Sequence, residues 1–279
     1  MDAHKLLEIT SETIRRTATD RGLNLVAYSG GVDSTLATVV VHRLFPLHTI
    51  AVLGVSASVS RTQLEQARNL ANKLGFPLEE VTTEEGTLPA YVENTGLSCY
   101  HCKQTLYKAL EQLGATLLRR RDRTRAPVVL FNGTNRDDLE DPTRVGLAAA
   151  REHGVISPLA HLTKEEVRIL SRHLGIPNWH VAASPCLRSR LQYGVVATRE
   201  NLARVEAAEA EVRRLLDLNP EDNLRVRHLA GDVARVELDP PRLPRLEQRF
   251  PDVQDALGRL GFKDVTSRPF RSGSLSFLV

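Results

Sequence analysis

Short apolar runs alternate with amphipathic stretches through the first two thirds of the chain. Residues 4–20 carry apolar positions at helical spacing and predict an opening helix. Leu23–Tyr28 (L-N-L-V-A-Y) reads as a short strand, followed by Ser29-Gly30-Gly31-Val32-Asp33-Ser34-Thr35 and a helix through Leu36–Leu44. Thr49–Val55 and Leu78–Thr82 read as further strands. Between them Ser60 and Gln63 form a capping box for a helix that stops at Gly75-Phe76-Pro77. Residues 103–120 predict a helix, and Pro127–Phe131 a buried strand running into Asn132-Gly133-Thr134-Asn135. Thr163 with Glu166 opens one more capped helix, closed by Gly175 and Pro177. Strands and helices alternating at this spacing predict an α/β, Rossmann-like parallel sheet covered on both faces. Ligands of such sheets sit beyond the carboxyl ends of the strands. Ser29–Thr35 and Asn132–Asp138 fall there, as does the segment with Cys99 and Cys102 if it follows the third strand.

After about residue 185 the pattern changes. A long helix, Thr198–Leu216, precedes two alternating strands, Leu224–His228 and Val233–Leu238. A basic, proline-flanked segment over 240–262 and a short strand near Val265 complete a second, smaller α+β domain. The expected division is 1–184 and 185–279.

A chain of 279 residues has room for those two domains. Hydrophobic content of 42% and charged content of 25% exclude a disordered or fibrous chain. A net charge of +3 is too slight for a duplex-binding face, which argues against a nucleic-acid partner. The N-terminus lacks the apolar core of a signal peptide, and no run approaches the ~18 apolar residues of a spanning helix. A cytoplasmic protein with no membrane partner is expected. The three cysteines, Cys99, Cys102 and Cys186, are an odd number that suits metal binding or catalysis better than a disulfide framework.

Ser29–Ser34 lies between a strand and a helix, where unpaired backbone N–H groups and the helix dipole favour an anion. Gly30 and Gly31 let the backbone approach a phosphate closely, while Ser29, Ser34 and Thr35 add hydroxyls. Asp33 would repel a bare phosphate but is well placed to hold a magnesium ion that bridges phosphates. Asp138, with Asp137, follows a strand end and either orients ATP or Mg²⁺ or caps the next turn.

Cys99-Tyr100-His101-Cys102 is a C-x-x-C, compatible with half a zinc site, a redox pair or an iron–sulfur ligand pair. Cys186 is followed by Arg188 and Arg190, which favour a thiolate. On the long helix Glu209 stands among Leu202, Val205, Val212 and Leu216, an apolar face where a carboxylate needs an arginine partner or acquires a raised pKa and a role in catalysis. Arg225 and Arg227 alternate on one strand face and can reach a common phosphate.

The S-G-G-V-D-S loop resembles the PP-loop of the ATP pyrophosphatases, and no Walker A lysine pattern is present. The resemblance becomes narrower with S-C-Y-H-C-K at 98–103, N-G-T-N-x-D-D-L at 132–139 and S-P-L at 157–159. L-G-I-P-N-W at 174–179, S-P-C-L-R-S-R at 184–190, R-V-R-H at 225–228 and F-R-S-G-S at 270–274 extend it. In this order, across about residues 5–275, these motifs are similar to those of the LarE family of ATP-dependent sulfur transferases in nickel-pincer nucleotide biosynthesis. The resemblance implies a PP-loop domain, cleavage of ATP between the α- and β-phosphates, and adenylation of a pyridinium biscarboxylic acid mononucleotide whose carboxylates become thiocarboxylates. It assigns Arg225 and Arg227 to the substrate phosphate. With cysteines at all three positions it implies a 4Fe–4S cluster held by Cys99, Cys102 and Cys186. The alternative known in that family is a single cysteine, here Cys186, that gives up its own sulfur. A tRNA thiolase of the same superfamily is a further alternative, as are an amidating PP-loop enzyme and a non-catalytic nucleotide-binding sensor. A homo-oligomer is expected.

Overall fold

The computed structural model describes residues 2–181, 185–219 and 222–271. Ser184 of the second cysteine motif and Ser272, Gly273 and Ser274 of the last motif lie outside the described residues. In chain order the elements begin with α1 (Ala3–Thr17), β1 (Leu23–Tyr28), α2 (Val32–Leu44), β2 (Thr49–Val55), α3 (Arg61–Leu74) and β3 (Leu78–Thr82). There follow α4 (Pro89–Val92), α5 (Ser98–Arg120), β4 (Val128–Phe131), α6 (Arg136–Glu140), α7 (Gly146–Glu152) and α8 (Lys164–His173). The chain continues with α9 (Arg199–Leu215), β5 (Leu224–Leu229), β6 (Val233–Leu238), α10 (Leu243–Gln248), α11 (Phe250–Arg259) and β7 (Asp264–Pro269).

Two compact units result: 1–56, 61–85 and 99–184 form one, and 57–60, 86–98 and 185–279 the other. The smaller unit thus takes in two short segments that precede residue 185. In the larger unit four parallel strands stand in the order β3-β2-β1-β4, with Leu25 opposite Ile50 on one side and Leu130 on the other. Period-two alternation sends Leu23, Leu25 and Ala27 to one face, where they meet Ile50, Val52 and Leu130 and the helical residues Tyr107, Leu110 and Leu118. Helix α2 packs on β1 and is buried nearly all round, from Ser34 to Val41, because α1 and α8 also pack against it. The parallel α/β sheet covered by helices is the fold class expected from the strand–helix alternation. Chain order reverses at β1, so the loops after β1 and β4 open side by side at a topological switch point.

In the smaller unit β5 and β6 form an antiparallel hairpin and β7 joins β6 in parallel. Gly231 and Asp232 both take positive φ in the hairpin loop (77° and 60°), a left-handed turn that suits the twist of the strands. Ala208, Val212 and Leu216 of α9 and its C-terminal flank pack on Val226, Val236 and Val265, and Leu246, Val253 and Leu257 close the same core. The segment 240–262, expected only as a basic connection, folds into α10 and α11. Helix α5 starts at Ser98, so Cys99 and Cys102 lie in its first turn and not in a loop ahead of it.

Candidate functional site

Strand β1 delivers Ser29 to the switch point, and Gly30 turns the chain into α2. Gly30 has φ +76°, and a Cβ there would lie 2.9 Å from the Ala67 side chain, so glycine is required on two counts. The hydroxyls of the loop are used to shape it. Ser34 Oγ donates to Gly31 O (3.0 Å), accepts from Ser29 N–H (3.2 Å) and lies 3.1 Å from Ser29 Oγ. Thr35, fully buried, donates through Oγ1 to Gly31 O (2.8 Å). The Ser34 and Thr35 hydroxyls, expected as donors to a phosphate, donate here to Gly31 O, because a first-turn Ser or Thr finds a carbonyl of the preceding turn within reach. The backbone N–H groups of the loop and the α2 dipole favour an anion.

The loop after β4 presses directly onto this helix terminus. A Cβ on Gly133 would lie 2.5 Å from Ser34 N, so only glycine allows the approach. Asn132 ties the loop down: its Oδ1 accepts from Thr134 N–H (3.0 Å) and Ser157 Oγ (2.8 Å). Asn135 Nδ2 donates to Asp33 Oδ1 (3.1 Å), and the Lys164 ammonium at the start of α8 is ion-paired with Asp33 Oδ2. Asp137 accepts from Lys164 N–H (3.1 Å), and Asn178 Nδ2 donates to Gly30 O (2.8 Å). Sequence pattern alone did not point to Lys164 as a member of this site; Asn135 was visible as part of Asn132–Asp138, and Asn178 only as part of L-G-I-P-N-W. Asp138 pairs with Asn135 in a capping box at the start of α6 and meets Arg144 at 2.8 Å. Of its two expected roles, capping is the one its contacts show.

Asp33, with one carboxylate oxygen on an exchangeable lysine and the other on an amide, suits a hard cation such as Mg²⁺. The backbone cradle around it suits the phosphates. Elsewhere on this unit a cavity of about 450 Å³ is lined by residues that include Leu118, Val128, Glu111 and His153. Its polar walls, Glu111 and His153, bond to each other (2.8 Å), and it shares no residue with the phosphate loop.

In the smaller unit Glu209 binds Arg190 through two hydrogen bonds (2.9 and 3.3 Å) and accepts from Val226 N–H (3.1 Å). The arginine partner expected for a carboxylate on that apolar face is thus Arg190. Arg227 donates to Glu237 (2.9 Å) and to Ser189 O (2.6 Å), and Arg268 also binds Glu237 (2.7 Å). Arg225 donates to Leu224 O (2.8 Å) and lies over the Phe270 ring. Arg225 and Arg227 share a strand face, and the hydrogen bonds described for them differ. Burial, followed by the charges of Arg190 and Arg227, pushes the Arg225 guanidinium down to about 10, with Glu209 and Glu237 acting in the opposite sense. Arg190 binds Glu209, Arg227 and Arg268 both bind Glu237, and Arg225 adds a further positive charge beside them, an arrangement that suits an anion.

Cys99 is exposed, Cys102 and Cys186 are half-buried, and Cys186 belongs to the smaller unit. Cys99 and Cys102 sit three apart on one helical turn and can offer two thiolates together. Among the described residues no group of three or more His, Cys, Asp or Glu side chains stands assembled for a metal. The cysteine pair thus fits part of a cluster's ligand set, and the described residues do not complete it. No helix among them is long and apolar enough to cross a membrane.

A switch-point phosphate loop reading S-G-G-V-D-S, on a parallel sheet with an acid at the helix N-terminus, defines an ATP-using enzyme of the PP-loop class. The class is also that of a glutamine-hydrolysing GMP synthase chain of Methanopyrus kandleri, 30% identical over 193 residues that cover 66% of this chain and 59% of that protein. No family model matches the chain. It is 36% identical over 277 residues to an uncharacterised protein of Synechocystis sp., covering 97% of this chain and 98% of that protein. It is 32% identical over 256 residues to the pyridinium-3,5-bisthiocarboxylic acid mononucleotide synthase of Lactiplantibacillus plantarum, covering 90% of this chain and 88% of the synthase. The chain belongs to the family of that synthase, the LarE sulfurtransferases.

Proposed function

We propose that this enzyme adenylates the carboxylates of a pyridinium biscarboxylic acid mononucleotide with ATP and converts them to thiocarboxylates. The observation that carries the proposal is the kinship with the synthase over nine tenths of the chain, supported by a phosphate loop with an acid and no Walker-type lysine in its own turn. The α2 N-terminus with Gly30, Gly31, Ser29 and Ser34 cradles the phosphates. Asp33 would hold Mg²⁺ in place of Lys164, and the ion would supply charge neutralisation to the phosphates. Arg225, in the positive cluster of the smaller unit, takes the phosphate of the mononucleotide. The enzyme acts in the cytoplasm as a homo-oligomer.

Sulfur passes through the cysteines. The presence of Cys99, Cys102 and Cys186 supports a 4Fe–4S cluster, for which these three would be the thiolate ligands; a cluster with an open iron would supply a replaceable sulfide. A second reading draws on the placement of Cys186 on its own tightly bonded turn. There the Cys186 thiolate attacks the acyl-adenylate carbonyl, AMP leaves, and a thioester forms. Removal of the Cys186 α-proton then breaks its Cβ–S bond, leaving dehydroalanine and a thiocarboxylate, with no external oxidant or reductant. Arg190 and Glu209 frame that turn. Incubating the anaerobically purified enzyme with ATP, Mg²⁺ and the mononucleotide should release pyrophosphate and yield thiocarboxylate by mass spectrometry. Pyrophosphate release independent of the mononucleotide would overturn the substrate assignment. Iron and acid-labile sulfide with an unchanged protein mass after many turnovers with added sulfide support the cluster, whereas a loss of about 34 Da at Cys186, a product outside the thiol oxidation ladder, supports the sacrificial route.

A further inference from the structure

The turn that carries Cys186 is held by its carbonyls. Cys186 O accepts from Ser189 N–H (2.9 Å), Ser189 Oγ (2.7 Å) and Arg190 Nη1 (3.0 Å). The same Arg190 nitrogen donates to Pro185 O, and Arg227 Nη1 donates to Ser189 O (2.6 Å). Leu187 N–H donates to Ser58 O (2.8 Å), which fixes the turn from a second stretch of chain. Each arginine is aimed by an acid: Arg190 by Glu209, and Arg227 by Glu237, whose side chain is 0% exposed and is shared with Arg268.

Ser189 alone provides two donors for Cys186 O, one for each lone pair, so the Arg190 contact exceeds what the carbonyl needs. One buried and one part-buried ion pair are also an expensive way to stabilise a turn, because desolvation offsets much of their attraction and an apolar replacement is often as stable. What such pairs supply is direction: a planar guanidinium clamped by a carboxylate on one edge presents its remaining N–H groups along fixed lines. Two such groups converge on the residues flanking one cysteine.

We infer that Arg190 and Arg227, steered by Glu209 and Glu237, are positioning residues that fix the backbone of the Cys186 turn and thereby the direction of its thiol. This rests on the reading that Cys186 handles sulfur, and it divides the R-x-R pair. Arg227 serves the cysteine turn through Ser189 O, while Arg225, stacked on Phe270, serves the anion. Glu209 then acts through Arg190 and not as a proton carrier.

The test measures thiol chemistry in the full-length protein with no nucleotide or substrate, so it is independent of whether sulfur transfer occurs. Alkylation by iodoacetamide is followed over time and resolved by peptide mass spectrometry, with Cys99 and Cys102 as internal references in the same molecule. Glu209→Gln and Arg227→Met should each change the Cys186 rate by about tenfold, the scale of one charge-assisted hydrogen bond, while the reference cysteines keep theirs. Arg225→Met should leave all three rates as in the wild type. If Arg227→Met fails to fold by circular dichroism, Arg227→Lys is read by the same criterion, since it keeps the charge but not the two-directional clamp. An unchanged Cys186 rate in both variants overturns the inference, as does a parallel rise at all three cysteines, which would report general loosening. An equal effect of Arg225→Met would overturn the division of labour. Failure of thiocarboxylate formation with these alkylation results intact would count against the sulfur reading alone.

Discussion

Replacing Asp33 with asparagine removes one negative charge from the α2 terminus and leaves the side-chain shape almost unchanged. In the native protein that carboxylate receives the Lys164 ammonium and the Asn135 amide, and the two ion-paired side chains are 25% and 30% exposed. Exposed pairs contribute about 0–1 kcal/mol and broken buried ones cost roughly 3–5 kcal/mol, so this half-screened pair should cost about 1–2 kcal/mol. For a chain of this size that is a fall of several degrees in melting temperature, roughly 2–4 °C for each kcal/mol. The chemical effect should be larger. Loss of one preorganised group that stabilises developing charge typically slows turnover by about 10²–10³, so pyrophosphate release should fall by that factor at saturating Mg·ATP. Release is followed with a coupled pyrophosphate assay, and unfolding by calorimetry on the same sample. Lys164→Met completes the cycle: it should lose similar stability while keeping the carboxylate, and the double variant should lose less than the sum. Wild-type pyrophosphate release in Asp33→Asn, with only the stability change present, would refute the metal role and leave Asp33 as the partner of Lys164.

Arg225→Ala should weaken mononucleotide binding by at least about tenfold, since charge-assisted contacts contribute roughly 1.5–3 kcal/mol, and leave ATP affinity unchanged; titration calorimetry with each ligand separates the two. Gly133→Ala would place a methyl 2.5 Å from Ser34 N, so the loop must back away from α2, and nucleotide affinity should drop with little change in the smaller unit. His228, 2% exposed beside Asp232, has its pKa lowered by burial, only partly offset by Asp232. The unfolded chain then binds more protons than the native one, so this contribution to stability is present above the ordinary histidine pKa of about 6.5 and is lost as pH falls below it. The urea midpoint should decline from pH 7.5 to 5.5, and less steeply in His228→Gln; an equal or steeper decline in that variant would contradict the assignment.

Much of this was legible from the residues, and the failures have definite causes. The bounds of β1 and β2 follow from apolar runs closed by glycine, proline or polar turns, while β3 (L-E-E-V-T) is marked by Pro77 ahead of it. The start of α5 was hidden because Cys99-Tyr100-His101-Cys102 has no apolar period; Ser98, buried and bonded through Oγ to Tyr91 O (3.0 Å), opens the helix earlier. The segment 240–262 gave no helix from its prolines, yet Pro244 and Pro251 each sit in a first helical turn, where the missing N–H costs nothing. Glu209 betrayed its need for a partner by standing on an apolar face. Arg227 did not betray Glu237, since shared strand face says nothing about where a long side chain turns. Lys164 lies 131 residues from Asp33, and no local pattern joins them.

The two units use the same device, an acid holding a cation, in opposite ways. At the phosphate loop the cation is a lysine on a flexible stem, nearly a third exposed, with a single carboxylate contact that a divalent ion can replace. Around Cys186 the cations are guanidinium groups, 4% and 7% exposed, bonded to carboxylates and to backbone carbonyls at once. Exchange of Lys164 frees one charge into water at small cost. Displacement of Arg190 or Arg227 would break an ion pair and the hydrogen bonds to the turn together, leaving Glu209 with Val226 N–H and Glu237 with Arg268. Under the proposed function a nucleotide site would load and empty in every cycle, whereas a sulfur atom would meet an acyl-adenylate along one line of attack. Lysine in one unit and arginine in the other suit those two demands.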